Sequence, residues 1–193
     1  MFEQMNPAWK KQLPMWITSF RMFIVPLIVW TLSPQTLAWN IVSAVLFIIA
    51  SISDYFDGYY ARKFNAVSNM GKFMDPIADK ILVTSILVML IPLDKIDPYM
   101  VIVILARDTL ISGLRQVAAA DQIIIAAQAS GKWKTALQMV AIPAVIIGEK
   151  SWGIPFDKIG YWVLWVSTIL SVTSGIQYVV GYLKALKTSR KFS

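Results

Sequence analysis

The chain contains no cysteine and no histidine. The first absence removes disulfides, thiolate metal sites and cysteine nucleophiles. The second removes the usual imidazole proton carrier, so a proton acceptor working near neutral pH has to be a carboxylate or a lysine with a shifted pKa. Charge is scarce as well: 15% of the 193 residues are Asp, Glu, Lys or Arg, against about 25% in soluble domains. There is no internal repeat, heptad or low-complexity segment to suggest a solenoid, coiled coil or linker.

What is present is apolar. Hydrophobic residues make up 57% of the chain, and the mean hydropathy is +0.61. These values imply one membrane domain, too short to carry a sizeable soluble core beside its spans. The net charge of +7 is scattered between apolar runs, so membrane lipids, and not nucleic acid, are the expected surface partner. Lys10 and Lys11 precede an apolar run, but Arg21 interrupts it and no small-residue cleavage site follows. The N-terminus is therefore expected to be retained.

The expected fold is all-α and integral to the membrane, with six transmembrane helices and a short N-terminal interfacial helix. The interfacial helix falls at 6–13, with Trp9 and Trp16 at headgroup depth, and the spans at about 15–32, 37–60, 75–93, 99–119, 133–147 and 159–182. Pro26 kinks the first span, Ser33-Pro34-Gln35 forms a tight turn, and Pro76 suits the first turn of the third span. With both termini in the cytoplasm, Lys10, Lys11, Arg62, Lys63, Lys72, Lys132, Lys134 and the basic tail lie on that side, and only Lys95, Lys150 and Lys158 lie opposite. The Lys/Arg bias sets orientation, which gives a multi-pass protein of the cell membrane with a cytoplasmic site. Ser167, Ser171 and Gly175, four apart on the last span, read as close packing within the chain before they read as a dimer contact. The eight tryptophans and seven tyrosines read as interfacial anchors.

The chemistry is concentrated between Ser51 and Lys80. Asp54, Asp57, Gly58, Ala61 and Arg62 recur at three and four residues, one face of a helix, and Asp75 and Asp79 share a face of the next. Charge at this depth is costly and is kept where it faces a cavity. Four carboxylates aimed at one point raise each other's pKa unless cations separate them, and hard divalent cations with oxygen ligands do so. A structural ion network with Arg62, Lys63, Lys72 and Lys80 accounts for one aspartate more readily than for four at these spacings.

The pattern Asp54-x-x-Asp57-Gly58-x-x-Ala61-Arg62, followed after eight residues by Gly71-x-x-x-Asp75-x-x-x-Asp79, resembles without departure the motif of the CDP-alcohol phosphatidyltransferases. The similarity extends to Ile17-Thr18-x-x-Arg21, to Ala106-Arg107-Asp108 with Gly113-Leu114-Arg115, and to Gly131-Lys132-x-Lys134-Thr135-x-x-Gln138, which look like the phosphatidylglycerophosphate synthase branch. The resemblance implies transfer of a phosphatidyl group from CDP-diacylglycerol to glycerol 3-phosphate, giving phosphatidylglycerophosphate and CMP, by a homodimer using Mg²⁺ or Mn²⁺ in a two-metal site. It implies Asp54, Asp57 and Asp75 as metal ligands and Asp79 as the general base, whereas spacing alone does not separate base from ligand at Asp79. Gly58, Ala61 and Gly71 would keep the surface low beside the nucleotide, Arg62 would bind a phosphate bidentately, and Thr18 and Arg21 would lie on the nucleotide side.

The acceptor's own phosphate needs a second cationic pocket, and Arg107, Arg115, Lys132 and Lys134 supply one. Adjacent helical residues point in different directions, so Asp108 is expected to be a poor partner for Arg107. For Lys132 and Lys134 the plainer reading is that of loop charges setting topology. Inositol phosphate, serine and phosphatidylglycerol are the other acceptors within the family. A divalent-cation transporter is the reading from a different class, and against it the outer halves of the spans hold no acidic residue to relay an ion.

Overall fold

In the computed structural model the chain is described at residues 7–63, 69–121, 129–148 and 153–189, with side chains described there except at 7–19, 54–63, 69–76, 79, 129–130 and 188–189. Every regular element of the described residues is a helix: α1 Pro7–Leu32, α2 Leu37–Lys63, α3 Asn69–Leu90, α4 Pro98–Ala120, α5 Ala129–Ile147 and α6 Phe156–Ser189. The all-α expectation holds. α6 is long and apolar enough to cross a bilayer, and shorter apolar helical runs occupy Phe20–Leu32, Leu37–Ser53 and Lys80–Leu90. At 1.5 Å per residue the 34 residues of α6 extend ~51 Å.

Several boundaries differ from those the sequence suggests, two of them with a proline involved, and α6 runs on to Ser189, past the expected end at 182. Residues 6–13 do not form a helix of their own: α1 runs unbroken from Pro7 through Pro14 and Pro26 to Leu32. A proline removes one ladder hydrogen bond without ending the helix when neighbouring elements hold it. α3 begins at Asn69, so Pro76 sits past its first turn, and Gly71, expected in the connecting loop, lies on the helix itself.

Local chemistry explains the remaining ends. The Ser33 N–H donates to the Trp30 carbonyl at 3.2 Å, closing the expected turn, and Thr36 caps α2 by accepting from the Trp39 N–H at 3.5 Å. Pro98 opens α4, where its missing N–H costs nothing. Asp97, at the N-cap position, instead accepts a hydrogen bond from the Tyr161 hydroxyl of α6.

The helices form a ring. α1 packs on α2 and α3, α2 on α5, α5 on α6 and α6 on α4, and a sparser α3–α4 contact closes it. Burial is inverted relative to a water-soluble bundle. Phe23 and Val140 are 80% and 68% exposed, whereas Arg21 and Lys134 are 0% and 5% exposed. The end of the ring near the α1–α2 and α3–α4 turns is closed by an aliphatic core that includes Ile28, Phe47, Ile86, Met100, Ile104 and Ile146. The buried ionic groups lie toward the other end.

Polar side chains tie the closed end. Ser43 donates to Thr31 across α1 and α2 at 2.8 Å. Asn40 donates to the Ile147 carbonyl at 3.5 Å, and the Lys95 ammonium donates to the Val145 and Ile146 carbonyls at 3.4 and 2.7 Å. Together they satisfy the last carbonyls of α5, which no helical N–H reaches. Burial pulls the Lys95 pKa below its ordinary value, and the Asp157 carboxylate partly restores it. A side chain on Gly148, which has φ +80, would bring its Cβ to 3.2 Å from the Lys95 Nζ.

α5 and α6 approach most closely at Gly160, where a Cβ would lie 2.7 Å from the Val145 backbone nitrogen and 2.9 Å from the Ala141 carbonyl oxygen. Neither atom is free to move, because both belong to a helix backbone. Gly113 on α4 has nothing within 4 Å of the same point. Gly160→Val should therefore destabilise the fold by about 1–3 kcal/mol, whereas Gly113→Ala should stabilise it by about 0.5–1 kcal/mol. Thermal unfolding of the two variants in one detergent checks the opposite signs.

Candidate active site

The expected carboxylates fall at two consecutive helix ends. Asp54, Asp57, Gly58, Ala61 and Arg62 are on the last turns of α2, and Gly71, Asp75 and Asp79 follow at four-residue intervals along the first turns of α3. The side chains of Asp54, Asp57, Gly58, Ala61, Arg62, Gly71, Asp75 and Asp79, and that of Thr18 on α1, lie outside the described residues. Among the described residues no group of three acidic or imidazole side chains is placed to hold a metal ion. The donors in question are all carboxylates, the hard oxygen ligands that suit Mg²⁺ and Mn²⁺, and the backbone places them on helices joined by only five residues, 64–68.

Hydrogen bonds at the closed end fix which residues share a depth. The Ser43–Thr31 bond sets the antiparallel register of α1 and α2. Ten residues further along each helix, Arg21 is level with Ser53 and hence with the start of the aspartate face. The Asn40–Ile147 bond sets α2 against α5. Thirteen residues further along each, Lys134 is level with that same Ser53. Arg21 is fully buried at this depth and Lys134 nearly so.

A third helix joins the layer through Asp108. Its Oδ1 accepts from the Arg107 Nη1 at 3.1 Å and also from the Lys134 Nζ. Arg107 is fastened further to α6: its Nε donates to the Ser171 carbonyl and its Nη2 to the Ser174 hydroxyl, each at 2.8 Å. The Ser167 hydroxyl donates to the Lys134 carbonyl at 3.0 Å. A Cβ on Gly175 would lie 3.2 Å from both the Cγ and the Nε of Arg107. Ser167, Ser171 and Gly175 are thus the bed on which α5 and Arg107 rest, and their spacing reflects packing within the chain.

This corrects the expectation about Arg107 and Asp108. Although the two are adjacent on α4, the long guanidinium stem reaches round the helix, and the ion pair that backbone phase argued against is formed. Of the four cations proposed for an acceptor phosphate, Arg107 and Lys134 come together. Arg115 is exposed two turns further along α4, its guanidinium carbon 5.5 Å from the centroid of the Tyr178 ring. Lys132 is exposed at the start of α5. Asp108, Ser171 and Ser174 were not candidate site residues on sequence grounds. The signal that would have found them is the small-residue stripe itself, since an arginine within apolar helices needs polar neighbours small enough to let it lie flat.

Comparisons with known proteins bear directly on this arrangement. Residues 11–173 match the family model described as CDP-alcohol phosphatidyltransferase. The CDP-diacylglycerol–glycerol-3-phosphate 3-phosphatidyltransferase of Rickettsia typhi is 39% identical over 179 residues, covering 92% of this chain and 98% of the relative. The protein of the same name from Bacillus subtilis is 42% identical over 154 residues, 78% of each chain. That from Mycoplasma pneumoniae is 36% identical over 211 residues, covering 95% of this chain and 93% of its own. A match running from before α1 ends to well within α6, with these relatives aligned over 78–98% of their own length, takes in both the aspartate face and the Arg107–Asp108–Lys134 layer: the chain belongs to the CDP-alcohol phosphatidyltransferase family.

Proposed function

We propose that the chain is an integral membrane enzyme that transfers the phosphatidyl group of CDP-diacylglycerol to glycerol 3-phosphate, releasing CMP and forming phosphatidylglycerophosphate. The observation that carries this reading is the pairing of the relatives' shared name with a buried cationic layer level with the aspartate face. Family membership also favours an enzyme over the cation transporter that clustered aspartates allow.

In this reading six spans cross the cell membrane, with both termini in the cytoplasm and the aspartates at the inner boundary. The apolar outward faces and the Lys/Arg bias support it. Asp54, Asp57, Asp75 and Asp79 would hold Mg²⁺ or Mn²⁺, which when bound neutralises charge on the diphosphate. Gly58, Ala61 and Gly71 leave room for the nucleotide, Arg62 binds a phosphate, and Thr18 and Arg21 support that side from α1. The acceptor hydroxyl oxygen attacks the phosphorus that bears the diacylglycerol, and the bond from that phosphorus to the CMP oxygen breaks. Asp79 takes the hydroxyl proton, a role that falls to a carboxylate or a lysine in a chain without histidine or cysteine. Arg107 and Lys134 hold the acceptor phosphate, with Arg115 and Lys132 toward the rim. A homodimer is carried over from the family resemblance.

Purified protein in detergent, supplied with CDP-diacylglycerol, Mg²⁺ and radiolabelled glycerol 3-phosphate, should move label into the lipid phase. Inositol phosphate, serine and phosphatidylglycerol should not substitute for the acceptor. Label that stays in the aqueous phase, with metal flux in liposomes made from the same preparation, would overturn the reading. Asp79→Asn should lower kcat by about 10²–10⁴-fold while CDP-diacylglycerol binding, measured by retention on the immobilised variant, persists. Appreciable turnover by that variant would remove Asp79 as the base.

A further inference from the structure

One feature of the cationic layer is not explained by phosphate binding alone. Arg107 and Lys134 both spend a bond on the same oxygen of Asp108, with side chains 16%, 6% and 23% exposed respectively. Asp108 is the one carboxylate paired with both of them among the described residues. Arg107 does not depend on Asp108 for its position, because the Ser171 carbonyl and the Ser174 hydroxyl hold it independently. Two further polar atoms, on the two helices that meet this group, are buried and have no hydrogen-bond partner among the described residues. These are the Oγ of Ser171, whose own carbonyl receives Arg107, and the Nε2 of Gln138, one turn beyond Lys134 on the same face of α5. Unmet polar atoms at this burial are costly.

We propose that Asp108 is an internal counter-anion that holds the place of the acceptor's phosphate in the empty enzyme and that an entering phosphate displaces from Lys134. The inference rests on the assignment of Arg107 and Lys134 to the acceptor. A phosphate monoester carries a charge of about −1.5 to −2 at neutral pH and three acceptor oxygens, against one charge on a carboxylate. A dianion therefore outcompetes Asp108 for the two cations and brings acceptor oxygens to spare. A neutral alcohol or a carboxylate monoanion does not break the pair. Asp108 in this way becomes a specificity-determining residue, selecting acceptors by charge before any hydroxyl is positioned.

Inhibition of the full-length enzyme by inorganic phosphate, with glycerol 3-phosphate as the varied substrate, tests this. Asp108→Asn removes the competing charge and should lower the phosphate inhibition constant by about tenfold, while Asp108→Glu, which keeps the charge, should stay near the wild-type value. A purely structural ion pair predicts the reverse, because loosening α4 from α5 would weaken phosphate binding. A folded Asp108→Asn protein with an unchanged or raised constant overturns the proposal. Should that variant fail to fold, the unmodified enzyme decides. Phosphate and sulfate should inhibit at concentrations about tenfold below acetate and formate at matched ionic strength, and equal inhibition by all four overturns it. The underlying assignment fails separately: Lys134→Gln and Arg107→Lys would then retain both the wild-type KM for glycerol 3-phosphate and the wild-type phosphate inhibition.

Discussion

Two cations and one carboxylate occupy the middle of a bundle whose outward faces are aliphatic, and the rest of the structure answers to that fact. In a ring with Phe23 and Val140 outside, a charge cannot turn outward without entering an apolar surround. It must be matched from within or face a cavity. The chain matches both cations from within: Arg107 is met by a carboxylate, a carbonyl and a hydroxyl from two helices, and Lys134 shares the same carboxylate. A buried ion pair is weak grounds for stability, because desolvating its charges offsets much of their attraction. Two cations held on one carboxylate oxygen are a reason of another kind to keep these groups, because an anion of higher charge can compete for them.

The closed half of the bundle supplies the rigidity. α5 carries Lys134 near its start and is fastened at its far end by Asn40 and Lys95, which satisfy its last carbonyls. Between these points Gly160 lets α6 lie directly against the α5 backbone. A helix held at its end and along its side cannot shift the ammonium of Lys134 relative to the Ser171 and Ser174 bed without breaking aliphatic packing. The apolar core and the ionic layer therefore divide the labour by depth.

Much of this was legible in the sequence. Helix boundaries followed from apolar runs and turn residues: α2 and α4 lie within three residues of their expected limits. By contrast, α5 starts four residues early and α6 continues about two turns past the expected end at 182. α3 starts before Pro76, where the sequence suggests an opening residue, because tertiary support lets a proline sit inside a helix. The separate interfacial helix failed for the same reason at Pro14. The aspartate face was legible because its period is helical and its cost in a membrane is high. The Asp108 pairing was not, because helical phase describes Cβ directions and an arginine is long enough to ignore them. Arg115 and Lys132 could not be separated from Arg107 and Lys134 by sequence, since all four are cations on the same two helices. Only the fold reveals that two lie on the surface and two within it.

The depth of the layer has a consequence for the reaction. In the proposed orientation, α2 enters the bilayer near Leu37, and about 20 residues cross the hydrocarbon, which brings the inner boundary close to Asp57. Arg21, Lys134 and the first aspartate share nearly that level through independent helix registers. One substrate is soluble in water and the other is anchored by acyl chains, so neither can travel far into the other's medium. A site deeper in the bundle would force a phosphate dianion through apolar core. A site further out would lift the diacylglycerol linkage away from its chains. The boundary is the one depth at which the hydroxyl and the phosphorus can meet with each substrate still in its own solvent, and the buried charges of three helices converge there.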